Sequence, residues 1–243
     1  MSTDGCILFG EDADDTLGAS LRQAERDLDS RGTVDVAAER IEWTHGGVTV
    51  LVEQQAGFLA DTSASVWVGS LATARWLEHA GPLGACLDLG SGTGVLGLWA
   101  MRAGLATTMV LTDRPSRVRP IQRNIQLNAP HVTPSTTSAM GLSWGTVPDG
   151  LRGRFNTVLA TELIYDHQLF GGLVATIAGL AAPRVVLSFG LRSEPDEQHF
   201  LKLLGAHYDC RLAHKCADEP WLRGYAVVIY DCRLRNAAAT EGA

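Results

Sequence analysis

Residues 87 to 94 read Leu-Asp-Leu-Gly-Ser-Gly-Thr-Gly, and this octapeptide narrows the folds open to the rest of the chain. Gly90, Gly92 and Gly94 fall at alternate positions. Glycine reaches positive φ at little steric cost and lets backbone approach a ligand with no Cβ in the way. The segment before the turn, Ala85 to Gly90, is an apolar run with the length of a buried strand. The segment after it, Val95 to Gly104, has helical spacing and a terminal glycine. A glycine turn between a buried strand and a helix presents free amides at a helix N-terminus, where carboxylates and phosphates bind.

The same alternation continues along the chain. Thr108 to Asp113, Asn156 to Glu162 and Arg184 to Gly190 are short apolar runs that read as buried strands. Helical segments separate them at 117–128, 167–181 and 194–206, with Pro120 near the start of the first. Residues 131–140 are ambiguous and can hide a poor third strand. Two closing strands, 208–216 and 225–234, have no helix between them, which predicts an antiparallel hairpin. Upstream, Arg40 to Gln54 alternates in two runs around His45-Gly46-Gly47, a pattern for a tight β-hairpin. Ser70 to Gly81 reads as a helix with Ser70 as its N-cap. The expected fold is α/β: a Rossmann-like, mostly parallel seven-strand sheet with a C-terminal antiparallel hairpin and an N-terminal β-hairpin extension. The expected division is a leader over 1–39 with a short helix at Leu17 to Leu28, a main domain over 40–235, and a loose tail over 236–243.

Composition removes several classes. Of 243 residues, 46% are hydrophobic and 19% charged, so a sizeable core is available and disorder is not expected. A net charge of −7 argues against a protein that tracks nucleic-acid phosphates. The acidic start lacks the pattern of a secretory signal, and no run approaches the ~20 apolar residues of a membrane helix. Five scattered cysteines, without CxxC, read as reduced thiols in the cytoplasm, with the nucleus also open. His207, Cys210, His214 and Cys216 carry ligand-type groups, but their spacing fits no common zinc pattern, and no metal is expected.

Two ligand classes compete for the glycine turn. Gly92 to Gly97 fits GxGxxG, the dinucleotide fingerprint of an NAD(P)-dependent oxidoreductase. A bare structural turn with no ligand also fits. Asp88, two positions before the first glycine, makes a longer Asp-x-Gly-x-Gly-x-Gly pattern, and about 85 residues precede it, whereas a dinucleotide turn usually lies near an N-terminus. This pattern resembles the first motif of class I S-adenosylmethionine-dependent methyltransferases. On that reading Asp88, Gly90, Ser91, Gly92 and Gly94 form the cofactor loop. Asp113, ending the next strand, accepts ribose hydroxyls in either ligand class.

Further segments resemble the protein-lysine methyltransferase group called methyltransferase family sixteen, over about residues 40 to 235. They are Val66-Trp67-Val68-Gly69 with Trp76, Asn124 and Asn128 in the helix after Asp113, Leu142-Ser143-Trp144-Gly145, and Glu162-Leu163-Ile164-Tyr165 in place of that group's D-x-x-Y. Glutamate stands where the family has aspartate, and Ser143 where it has an acid before Trp144. The resemblance implies S-adenosylmethionine as cofactor, with Trp67, Arg114, Trp144 and Thr161 also lining its site and Trp144 near the adenine. It implies Glu162 and Tyr165 as catalytic residues. It implies a protein substrate, since the group modifies chaperones, calmodulin and elongation factors, and no membrane partner.

The residues themselves support a lysine target. At pH 7 an amine with a reference pKa of ~10.4 is deprotonated at a cost of about 4–5 kcal/mol. Desolvation in an aromatic-walled pocket lowers that pKa. Glu162 can orient the amine and accept its proton while Tyr165 packs on its aliphatic stem. The prolines of Asn/Asp-Pro-Pro-Tyr, usual for adenine or glutamine targets, are missing from TELIY. Histidine or arginine as target, a protein that binds cofactor without transfer, and Glu162 as a mere helix cap with Tyr165 in the core are the alternatives.

Overall fold

The computed structural model describes residues 39–54, 65–129, 131–217, 222 and 225–235. The expected leader helix at Leu17 to Leu28 and the tail over 236–243 lie outside the described residues. β1 (Arg40–His45) and β2 (Val48–Glu53) pair antiparallel as a two-stranded sheet. Gly46 and Gly47 between them have φ of 57° and 73°, the two positive values that a type I′ hairpin turn requires.

The remaining strands form one seven-stranded sheet in the order β5-β4-β3-β6-β7-β9-β8. These are β3 (Gly84–Leu89), β4 (Ala106–Asp113), β5 (Thr137–Gly141), β6 (Thr157–Thr161), β7 (Arg184–Gly190), β8 (Tyr208–Cys216) and β9 (Val227–Leu234). β3 through β7 run parallel, and β9 pairs antiparallel with both β7 and β8. The helices are α1 (Val68–Leu77), α2 (Val95–Arg102), α3 (Val118–Leu127), α4 (Phe170–Leu180) and α5 (Glu194–Gly205). The weak third strand is real, at Thr137–Gly141.

Strand periodicity assigns side chains to two cores. In β7, Val185, Leu187 and Phe189 join Phe170, Leu173 and Ile177 of α4 and Phe200 and Leu204 of α5. On the opposite face Val186 and Leu159 pack with Leu71 and Leu77 of α1 and Leu96 and Trp99 of α2. The hairpin extends this second layer: Trp43 is buried with its ring 6.2 Å from that of Trp99. β8, at the sheet edge, is mostly exposed, carries Asp209, Arg211 and Lys215, and has a register shift at Leu212/His214, features that discourage edge pairing. Among the described residues, no helix is long and apolar enough to cross a membrane.

One cap differs from expectation. α1 begins at Val68 with Trp67 as N-cap, so Ser70 lies inside the first turn. Its hydroxyl faces the Thr161 hydroxyl at 3.3 Å, and Thr73 Oγ1 bonds Ser188 Oγ at 2.6 Å. This polar seam between α1 and the sheet recruits the serine that a free helix end would use for capping. Trp76, expected in the core, is only half-buried and stacks under the Arg184 guanidinium at 5.8 Å.

Candidate active site

After β3 the chain turns to β4 and β5 on one side, then returns to β6 and β7 on the other. The crevice at the carboxyl ends of β3 and β6 is therefore the topological switch point, where open α/β sheets bind ligands. Every candidate side chain of the sequence reading lies along this end of the sheet or on α1 beside it.

On the β3 side the glycine loop is held by its own backbone. Gly90 and Gly92 have φ of 62° and 58°, and Gly94, at 81°, is the N-cap of α2. A Cβ on Gly90 would stand 2.6 Å from Leu163 Cδ2, so a larger residue in that turn would have to push the Leu163 side chain aside. The Ser91 amide donates to Thr112 O at 2.8 Å, and the Gly92 amide to Asp113 Oδ2 at 3.0 Å. Asp113 Oδ1 accepts the Arg114 amide at 2.7 Å. A carboxylate has about four lone-pair sites, so Asp113 keeps capacity for two hydroxyls. Burial pushes the Asp113 carboxyl up from its ordinary value, against the Arg114 and Gly92 amides and the cations of Arg114 and Arg117.

Asp88 lies beneath the loop rather than on its surface, 1% exposed, accepting the Gly97 amide of α2. Desolvation pushes its carboxyl up to about 7; the Gly97 amide opposes the shift and Asp113 adds to it. Asp88 Oδ1 and Ser91 Oγ are buried without hydrogen-bond partners. The unpartnered Ser91 hydroxyl, the N-terminus of α2 and the spare lone pairs of Asp113 fit a ligand that joins an amino acid to a nucleoside. Trp144 walls the loop, its Cζ2 3.6 Å from where a Gly90 Cβ would be.

On the β6 side the candidate residue is Glu162. It is one of two described non-glycine residues with positive φ, at 57°. Asp and Asn enter that region more readily than glutamate, so the backbone here suits the family's aspartate better than the residue present. Glu162 Oε2 accepts from Arg192 Nη2 at 3.0 Å and from the Gly190 amide at 3.3 Å. Oε1 is buried and unpartnered, packed so closely over Gly69 that a Cβ there would lie 2.2 Å away. Arg192 also sits 5.7 Å above the Trp67 ring and hydrogen-bonds Tyr225. Burial works to lower the Arg192 pKa, but Glu162 and Tyr225 outweigh it and the net shift is upward.

Glu162 does not cap a helix. Asp166 caps the 3₁₀ turn His167–Leu169, accepting the Gln168 amide at 2.9 Å. Nor is Tyr165 core: it is 55% exposed, its ring 6.4 Å from Trp144 across the mouth of the crevice. Thr161 is buried against Ser70, and Arg114 is exposed beside Asp113. Gly69, Gly190, Arg192 and Tyr225 were not among the expected site residues. Arg192 alone had a readable signal, a cation two positions beyond a buried strand's carboxyl end.

Asn124 and Asn128 serve the frame. Asn124 accepts the Glu53 amide at 2.7 Å and donates to Glu53 O at 3.0 Å and Thr93 O at 2.8 Å. Asn128 repeats the pairing on Leu51, at 3.1 and 2.7 Å. Two residues of strand span about 6.8 Å and four of helix about 6.0 Å, so asparagines at i and i+4 match peptide groups at i and i+2. The pair bonds α3 to the free edge of β2, and Asn124 also ties down the glycine loop. Among the described residues, no group of three or more His, Cys, Asp or Glu side chains converges to hold a metal.

The seven-strand sheet, with a glycine loop and a strand-end acid at its switch point, is that of an S-adenosylmethionine-dependent methyltransferase. The sequence model of a family described as lysine methyltransferase matches residues 49–207. The mouse (Mus musculus) "EEF1A lysine methyltransferase 3" is 28% identical over 210 residues, covering 84% of this chain and 86% of that protein. The mouse "Protein N-lysine methyltransferase METTL21A" is 28% identical over 181 residues, 72% of this chain and 78% of that one. Among solved structures, the methyltransferase domain of bacterial CtHen1-C superimposes with a TM-score of 0.56 at 13% identity, covering 69% of this chain and 97% of that chain, a likeness of fold. The chain belongs to the lysine methyltransferase family.

Proposed function

We propose that this enzyme methylates the ε-amine of a lysine on a folded protein of the EEF1A type, with Glu162 and Tyr165 meeting the target side chain. The observation that carries the reading is the buried, half-partnered Glu162 carboxylate, held at the carboxyl end of β6 across the crevice from the cofactor loop. Relatives named for EEF1A support the substrate. Tyr165, Leu169 and Leu191, large hydrophobics exposed just beyond β6 and β7, offer the apolar rim that a protein surface covers.

When bound, S-adenosylmethionine supplies an electrophilic methyl on a sulfonium. The N-terminus of α2 and the Ser91 hydroxyl would hold its amino-acid end, Asp113 and Arg114 its ribose side, and Trp144 its adenine. Asp88 would brace the loop from below, and Trp67 and Thr161 would close the crevice from the α1 and β6 sides. Glu162 accepts hydrogen bonds from the target amine and keeps its lone pair aimed at the methyl. Tyr165 and Trp144 shed water from the lysine stem, which favours the neutral amine. Catalysis on this reading is mainly positioning.

The test is incubation of the protein with labelled-methyl S-adenosylmethionine and purified EEF1A, followed by peptide mapping. Label on a lysine is expected. Label on histidine or arginine would move the target class, and saturable cofactor binding with no label on EEF1A or on cell-extract proteins would defeat transfer.

A further inference from the structure

We infer that Arg192 is a resident cation occupying the subsite for the substrate's ammonium, and that the incoming lysine displaces it. This rests on the reading of Glu162 as the residue that meets the target amine. The Glu162 side chain is 4% exposed and that of Arg192 24%. Oε1 has no accessible surface, and Oε2 is taken by Arg192 and the Gly190 amide. While Arg192 stays, neither oxygen can receive a second cation.

The groups that hold Arg192 are those that would hold a lysine ammonium. They are a carboxylate at 3.0 Å, an indole face at 5.7 Å and the Tyr225 hydroxyl. The Arg192 backbone is anchored separately. Its amide and that of Ser193 both donate to Glu197 Oε1, at 2.7 and 3.0 Å, so the side chain can swing out without the loop moving. Removing a cation from a buried carboxylate is costly, but exchanging one cation for another keeps the charge neutralised. A neutral side chain could not make that exchange on entry, so the resident arginine also selects for targets that arrive as cations; the ammonium then gives a proton to Glu162, which frees its lone pair for the methyl. A guanidinium does not deprotonate in proteins, so Arg192 holds the site without becoming a methyl acceptor.

Two measurements on the full chain test this. The first is steady-state transfer to EEF1A by the wild type, Arg192→Gln and Arg192→Lys, with cofactor Kd measured alongside. Emptying the subsite should lower KM for the protein substrate by about tenfold, the tax lifted when a competing resident state is removed, with cofactor Kd unchanged. Arg192→Lys, which restores a resident cation, should return KM toward the wild-type value. A fall in kcat of about tenfold or more with KM unchanged or raised would mean that Arg192 positions Glu162 and is not displaced. The second needs no variant: the Arg192 side-chain N–H resonances of the cofactor-bound wild type are followed while n-butylammonium is titrated. Release of those resonances to free exchange is expected, and resonances unchanged at saturation would overturn the displacement. A wild type with no transfer activity on any protein would instead sink the proposed function, and the titration would still decide the fate of Arg192.

Discussion

The loop after β3 and the turn after β6 face each other across one crevice, yet they are made rigid by different means. The β3 loop is backbone: three glycines at positive φ, the Gly92 amide donated to Asp113, and a helix starting at once. The β6 turn is side chain: a glutamate in a conformation that glycine or aspartate would prefer, with an arginine, a tryptophan, a tyrosine and two glycines around it. A backbone cradle serves a ligand that is the same in every turnover. A side-chain nest is built of separately replaceable parts, and it tolerates the strain its contacts hold in place.

If the two halves divide the labour, variants in each should affect different observables. The largest effect is expected at Glu162. Glu162→Gln should cut methyl transfer about 100-fold or more, within the range for a positioned proton-handling group, and leave cofactor Kd nearly unchanged. Glu162→Asp should relieve the positive-φ strain and gain about 0.5–1 kcal/mol in melting experiments while retaining more activity than the Gln variant. Equal loss of cofactor binding in the Gln variant would end the division.

Next is the pH dependence stored at Asp88. Its folded carboxyl is pushed up to about 7 by burial, from an ordinary 3.8. Between about pH 4 and 7 the folded chain therefore holds a proton that the unfolded chain has released, so stability falls as pH rises through that window and then levels. Asp88→Asn lacks the titration. Its stability relative to wild type, from urea unfolding, should rise across the window by at most about 4 kcal/mol. A flat difference would show that the loop accommodates the charge.

Asp113→Ala should weaken cofactor binding by about 1.5–3 kcal/mol, read by calorimetry, while saturating cofactor restores transfer. An unchanged Kd would remove Asp113 from the cofactor half. The frame shared by both halves should show its effect in stability alone. Asn124→Ala strands the Glu53 amide and the Thr93 carbonyl and should cost about 1–2 kcal/mol of stability, with the remaining activity still saturable by cofactor.

The order of strands and helices from β3 to β9 was legible in the sequence, down to the closing hairpin, because strand and helix periods and glycine punctuation are local properties of the chain. The glycine turn was legible for the same reason: Gly90, Gly92 and Gly94 bring their own φ preferences wherever they fold. Asp113 could be placed because the end of a parallel strand fixes which end of the sheet it occupies.

The β6 side of the crevice was only partly legible. Glu162 and Tyr165 stood out, but the arrangement around Glu162 depends on residues far along the chain. Arg192 reaches it from 30 residues away, and Gly69 approaches it from another helix. Ser70 looked like a helix cap until Thr161 gave it a partner 91 residues off, and the asparagines showed their role only when β2 came to lie along α3, 71 and 77 residues away. Conformational preference is written residue by residue. A carboxylate's partners, the void beneath a missing Cβ and the exposure of a tyrosine are properties of surfaces brought together, and they exist only once the chain has folded.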